Sequence, residues 1–304
     1  MKLHSSSDRI AVRRHDISWR RGLLLAAAAL VVSGGVAAQT EAPGEPVVIP
    51  GAEISGWGKV TEVRGRFGRP PGATVHVPAV LILHGSGGVD GRGAFYAKAL
   101  QAAGIATLEI TMFPPGGRPR TTKATMPHAA AALKWLAGQP GVTRVGVMGF
   151  SWGGSMSVTM SSELLQERFG KDVPKPAAFV ALYPVCSNLD RQWAEPRSDL
   201  YGARRRMSAT PMLILAGTRD DYEEGVRPCD AFAATWPAAA RELATVRYFD
   251  GATHGFDTQR ESREFYDQVA HYGKGGTVKI TPNPEAAADA RQAVVDFFVK
   301  YLEP

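Results

Sequence analysis

The chain has 304 residues, 44% apolar and 21% charged, a balance that belongs to a globular protein and excludes wholesale disorder. Its two cysteines exclude a disulfide-rich scaffold or a zinc-finger array, and no apolar run reaches the 18 or so residues that a membrane span needs. The net charge of +6 is concentrated at the N-terminus. Lys2, Arg9, Arg13, Arg14, Arg20 and Arg21 lie within residues 1–38, and the remainder carries 29 basic against 27 acidic residues, so nothing points to a nucleic-acid partner.

In chain order, residues 1–38 have the pattern of a cleaved export signal. A basic stretch ends at Arg20-Arg21, an apolar run follows from Leu23 to Val32, and Val36-Ala37-Ala38 fits the small-residue cleavage rule. Ser18 and Arg20-Arg21-Gly22-Leu23-Leu24 fit a twin-arginine signal loosely, and an ordinary Sec signal accounts for the same residues. A periplasmic or secreted location is therefore expected. Residues 39–53, rich in Pro, Gly and Glu, are expected to be an extended linker, and residues 54–304 a single domain.

From there, short apolar runs alternate with longer helical stretches. Strands are expected at 79–83, 105–110, 145–148, 178–185, 212–216 and 246–249. Helices are expected at 94–103, 122–137, 156–169 and 285–302. That alternation implies an α/β fold with a mostly parallel sheet covered by helices on both faces. Residues 188–207 fit either a lid over the site or a surface crossover helix. In an oxidising compartment Cys186 and Cys229 are expected to form a disulfide, with two separate buried thiols as the alternative.

The sharpest motif is Gly149-Phe150-Ser151-Trp152-Gly153, the G-x-S-x-G nucleophile elbow. A strand must end and a helix begin within one tight turn, leaving the serine exposed above the sheet with helix N–H groups close by. The segment His84-Gly85-Ser86-Gly87-Gly88 follows an earlier strand and suits an oxyanion hole made by the N–H groups of Ser86 and Trp152. His84 precedes the serine and is expected to anchor this loop.

An α/β-hydrolase places an acid and then a histidine after the serine in chain order. The strand at 212–216 runs into Gly217-Thr218-Arg219-Asp220-Asp221, where Asp220 and Asp221 both qualify as the acid and Gly-x-x-Asp spacing favours Asp220. Of the two later histidines, His254 follows a strand and His271 lies in a polar stretch, which favours His254 as the base. Phe113 to Arg120 follows a strand at the expected site edge. Its arginines suit a substrate carboxylate or simply a solvated loop.

Together these segments resemble the dienelactone hydrolase family of α/β-hydrolases from about Leu81 to the C-terminus. Gly149–Gly154 resembles its nucleophile turn, Gly217–Asp221 its acid loop, Gly251–Asp257 its histidine loop, and 285–302 its closing helix. The chain departs from the founding members in two places: Ser151 stands where they carry cysteine, and Gly85 where they carry a glutamate that serves cysteine activation. The resemblance implies a serine esterase or lactonase acting on a small ester through Ser151, His254 and Asp220, without metal or organic cofactor, and it does not carry over the dienelactone substrate. Two other readings stand beside it. A prolyl-oligopeptidase-type peptidase shares the elbow but needs a propeller domain for which this chain has no room, and a non-catalytic binding protein retains the fold without the chemistry.

Overall fold

The computed structural model describes residues 41–72, 76–114, 117–225 and 227–303. The expected export signal at 1–38 lies outside them.

The elements follow in chain order: β1 (Glu45–Pro50), β2 (Glu53–Ile54), β3 (Gly58–Lys59), β4 (Glu62–Gly68), β5 (Val77–Leu83), α1 (Arg92–Ala102) and β6 (Ala106–Thr111). A short 3-10 turn (Thr122–Thr125) leads into α2 (Met126–Ala137), then β7 (Val142–Phe150), α3 (Trp152–Met160), α4 (Glu163–Phe169), β8 (Ala178–Leu182) and α5 (Cys186–Ala194). The chain continues through β9 (Met212–Arg219), α6 (Pro228–Ala234), α7 (Ala238–Glu242), β10 (Ala244–Thr253), β11 (Arg263–Asp267), α8 (Ala270–Gly273), β12 (Gly276–Ile280) and α9 (Pro284–Leu302).

Eight strands form one sheet in the order β1-β4-β6-β5-β7-β8-β9-β10. From β6 to β10 all neighbours are parallel, while β4 and β1 add antiparallel strands at one edge. The central strands are continuous apolar runs because both faces are covered. On one face Leu81, Leu83, Val147, Phe179, Ala181 and Ile214 pack with residues of α2, α3, α5 and α6. On the other, Val80, Ile82, Met148, Val180, Leu182 and Leu215 pack with α1 and α9. The strict alternation follows from the two-residue period of a strand, and each such side chain larger than alanine contributes roughly 1.5–3 kcal/mol by leaving water. Parallel strands also deliver their carboxyl ends to one edge. The loops after β5, β7, β9 and β10 therefore meet there, where ligands bind in open α/β sheets.

Two local readings are corrected and a third, left open, is decided. Residues 45–50, expected to be linker, form β1, paired with β4 from Glu45 opposite Phe67 to Pro50 opposite Glu62, with Ile49 fully buried. The single helix expected at 156–169 is two helices broken at Ser161-Ser162. There the Ser161 hydroxyl donates to the Val158 carbonyl, and Ser162 forms a bridge with Met207, so side-chain and cross-chain bonds replace the helical ladder. Of the two forms expected for residues 188–207, the structure has the crossover helix. These residues begin in α5, whose Trp193 is fully buried and packs edge-on against Phe232 of α6.

Candidate active site

The turn between β7 and α3 is built by close backbone approach. A Cβ on Gly149 would lie 2.2 Å from the Gly153 carbonyl, one on Gly153 would lie 2.1 Å from the Leu83 carbonyl, and one on Gly154 would lie 2.6 Å from the Leu182 carbonyl. Any side chain at these positions would push α3 off the ends of β5 and β8. Ser151, held between them, has φ 51° and ψ −105°, a strained conformation for a residue with a Cβ, and its N–H is fixed by the Leu182 carbonyl at 2.9 Å. Such strain costs on the order of 1–3 kcal/mol and persists because the surrounding contacts overdetermine it.

His254 stands at the end of β10 beside this turn. Its Nε2 is 2.8 Å from the Ser151 hydroxyl, and its Nδ1 is 2.7 Å from Oδ2 of Asp220. The other Asp220 oxygen accepts the Tyr222 N–H at 2.9 Å, which fixes the carboxylate plane. Both side chains are nearly removed from solvent, at 4% and 1% exposure for His254 and Asp220. A carboxylate accepts only, so Nδ1 carries the proton and Nε2 is left to accept from the serine hydroxyl. The rings of Tyr183 and Tyr222 lie against the imidazole, with centroids 4.8 and 4.5 Å away.

The competing candidates are turned elsewhere. Asp221 accepts the backbone N–H of Lys279 on β12, and its own carbonyl accepts the His271 N–H. His271 is exposed, with Nε2 3.1 Å from the Thr277 carbonyl. His84 is buried, which lowers its pKa to about 4 and keeps it neutral. Its Nδ1–H donates to the Gly85 carbonyl at 2.8 Å, its Nε2 accepts the Met112 N–H at 2.9 Å, and its ring packs edge-on against Phe113. It therefore ties the end of β5 to the end of β6.

The loop bearing Ser86 closes on itself through the Gly88 N–H and the Gly85 carbonyl, 3.1 Å apart. Gly85 lies against the nucleophile turn, where an added Cβ would be 3.4 Å from the Phe150 carbonyl. The Ser86 N–H donates to no protein acceptor among the described residues. Trp152 is the first residue of α3, where no preceding turn supplies an acceptor for its N–H. Its indole donates to Thr125 Oγ1 at 3.0 Å, its ring packs on Phe113, and the Arg118 guanidinium lies 5.9 Å from its centre.

Cys186 and Cys229 are joined as a disulfide that fastens the start of α5 to α6. Glu223, in the loop after Asp220, accepts the N–H groups of Cys186 and Ser187. Burial and the nearby Asp220 charge push its pKa up to about 7. Cys186, Glu223 and Cys229 are the one grouping of metal-type ligands among the described residues, and its sulfurs are committed to the disulfide. Tyr183, Tyr222 and Glu223 escaped sequence reasoning because a lone tyrosine or glutamate carries no spacing signal. Their roles arise only when separate loops converge.

The family profile described as the dienelactone hydrolase family matches residues 93–302. No curated protein matches the sequence. Among solved structures, Est1E from Butyrivibrio proteoclasticus is 14% identical and aligns over 84% of this chain and 99% of its own, with a TM-score of 0.55. A dienelactone hydrolase from Anabaena variabilis is 16% identical over 85% and 99%, with a TM-score of 0.54. Esterase 2 of Thermogutta terrifontis in its apo form is 18% identical over 84% and 97%, with a TM-score of 0.57. These likenesses are of fold.

Proposed function

The chain belongs to the dienelactone hydrolase family and is a carboxylic ester hydrolase; from that premise we propose that it cleaves small esters or lactones by acyl transfer through Ser151. The observation that carries this is the unbroken relay from the Ser151 hydroxyl through His254 to Asp220, at 2.8 and 2.7 Å. His254 Nε2 takes the serine proton as Oγ attacks the ester carbonyl, forming one C–O bond. The N–H groups of Ser86 and Trp152 receive the developing oxyanion. The imidazolium then gives its proton to the leaving alcohol oxygen as the old C–O bond breaks. Water, deprotonated by His254, hydrolyses the acyl-enzyme and restores Ser151. Asp220 keeps Nδ1 protonated and stabilises the transient positive charge.

Similar structures support a small ester substrate: Est1E has been solved with ferulic acid bound, and Thermogutta esterase 2 with butyrate bound and phosphorylated by paraoxon. Ser151 and Gly85, in place of the founding cysteine and glutamate, argue against a dienelactone specifically. A periplasmic or secreted site of action is supported by the signal pattern of residues 1–38 and by the disulfide.

The test is hydrolysis of p-nitrophenyl esters, acetate to octanoate, by residues 39–304 and by the Ser151→Ala variant, with phosphonate labelling of both. Activity and labelling in wild type alone, falling with acyl length, are the expected result. Folded wild type that neither hydrolyses nor labels would overturn the proposal.

A further inference from the structure

Beneath the site lies a polar network that the acyl-transfer steps do not use. The Arg92 guanidinium holds the Asp90 carboxylate through Nε at 2.9 Å and Nη2 at 2.6 Å, and donates from Nη1 to the Tyr183 hydroxyl at 2.9 Å. That hydroxyl donates to Asp257 Oδ1 at 2.6 Å, and the Tyr96 hydroxyl donates to Oδ2 at 2.8 Å. Tyr96, Tyr183 and Asp257 are fully buried, and Arg92 is 5% exposed.

The chain origins of these groups matter more than their number. Asp90 and Arg92 come from the end of the loop that carries Ser86 and from the start of α1. Tyr183 follows β8 in a left-handed conformation, φ 38°, with its ring on His254. Asp257 lies three residues past His254. The guanidinium is wedged between the two functional loops: a Cβ on Gly85 would lie 3.0 Å from Nη2, and one on Gly255 would lie 3.4 Å from Nη1. Packing alone does not call for this arrangement, since buried ion pairs can often be replaced by apolar residues of similar volume without loss of stability. Its distinguishing property is direction. The planar fork of arginine fixes two partners at once, and here they belong to the oxyanion loop and to the group that abuts the catalytic imidazole.

We propose that Arg92 and Tyr183 are positioning residues that set the distance between the oxyanion donors and His254, so that a bound carbonyl meets both in register. This rests on the acyl-transfer reading above. Tyr183→Phe keeps the ring against His254 and deletes only the hydroxyl that joins Arg92 to Asp257. Arg92→Lys keeps the charge and loses the fork, and it serves if Tyr183→Phe does not fold. Each is assayed for kcat and KM on p-nitrophenyl acetate and for the rate of Ser151 phosphonylation per folded molecule. The expected result is a 10- to 100-fold fall in kcat and in labelling rate with KM within twofold of wild type, the scale on which small misplacements of reacting groups act. A folded variant with kcat within twofold of wild type overturns the inference alone. So does a loss of activity that only tracks the unfolded fraction. Inert wild type overturns the acyl-transfer reading and this inference with it.

Discussion

The carboxylate of Asp221 accepts the backbone N–H of Lys279 at 2.8 Å, and so belongs to the β11–β12 hairpin. Its neighbour Asp220 points the other way, to His254. Adjacent residues thus do separate work, and substitution separates them. Asp220→Asn leaves the shape but presents a donor to Nδ1–H and favours the wrong imidazole tautomer. The expected fall in kcat is on the order of 10³- to 10⁴-fold. Asp221→Asn weakens one hydrogen bond to the hairpin, worth about 1 kcal/mol, and leaves kcat within a few-fold. Steady-state kinetics of the two purified variants checks this. Equal losses would remove the distinction.

The Cys186–Cys229 disulfide closes a loop over a sequence separation of 43 residues that contains the acid loop. Chain-entropy reasoning gives it roughly 4 kcal/mol at most. The Cys186→Ala/Cys229→Ala variant is expected to lose up to about 10 °C in Tm. Because Glu223 fastens the Asp220 loop to the same α5 terminus, ester hydrolysis should fail at a lower temperature than the main unfolding transition in reduced protein. Calorimetry beside residual activity after heating, with and without dithiothreitol, reads the gap. Coincident loss of both would show that the disulfide guards the fold as a whole rather than the site.

Stability against pH has a sign that the buried carboxyls set. Burial, with the Asp90 charge nearby, pushes Glu109 on β6 up to about 8, and its carboxyl is packed against the backbone of Gly93. The native state therefore keeps this proton where the unfolded chain, at about 4.5, has lost it. Stability from this group is full below about 4.5 and is lost as pH rises to about 8. His84 acts in the opposite direction, costing stability as pH falls from 6.5 toward about 4, so the measurement belongs above pH 6.5. Between pH 6.5 and 8.5, wild type should lose about 2 kcal/mol more than Glu109→Gln, which has no such proton to release. Glu223, raised to about 7, contributes equally to both proteins. Parallel denaturation curves at the two pH values would refute a protonated native Glu109.

The sheet centre and the nucleophile turn were legible in the sequence for one reason. Buried parallel strands must be continuously apolar, and the strand-to-helix turn tolerates only glycine at Gly149, Gly153 and Gly154. The order of Ser151, Asp220 and His254 then followed from the fold. What stayed hidden were elements whose own residues carry little apolar pattern. β4 reads as charges and glycines, Glu62-Val63-Arg64-Gly65-Arg66-Phe67-Gly68, and becomes a strand only because β6 and β1 flank it. The β11–β12 hairpin buries only Val278 and Ile280 and is held by that pair, by Asp221, and by the bond from Tyr222 to Asp267. The preference for Asp220 over Asp221 rested on Gly-x-x-Asp spacing alone, because adjacent residues on a loop have no periodicity to tell them apart.

β1 supplies the last prediction, because it moves the start of the folded domain. Residues 45–50 look like linker in composition, with Pro46 and Pro50 at their ends. Yet Ile49 is fully buried, and the strand pairs with β4 along all six of its residues. Ala42 is also buried, and its carbonyl accepts from the Arg66 side chain at 2.9 Å. A chain starting at residue 54 would expose the β4 edge, an open row of backbone donors and acceptors that templates aggregation. It would also lose the buried Ile49, a group whose truncation alone to alanine costs on the order of 2–5 kcal/mol. A chain starting at residue 41 should be soluble and active. One starting at residue 54 should unfold at a Tm lower by several degrees or accumulate as aggregate. Ile49→Ala, in the chain that keeps β1, separates the two causes: it should lower Tm without promoting aggregation. Thermal scans with light scattering on all three proteins decide the matter, and an unchanged Tm for the 54–304 chain would return residues 45–50 to the role of a linker.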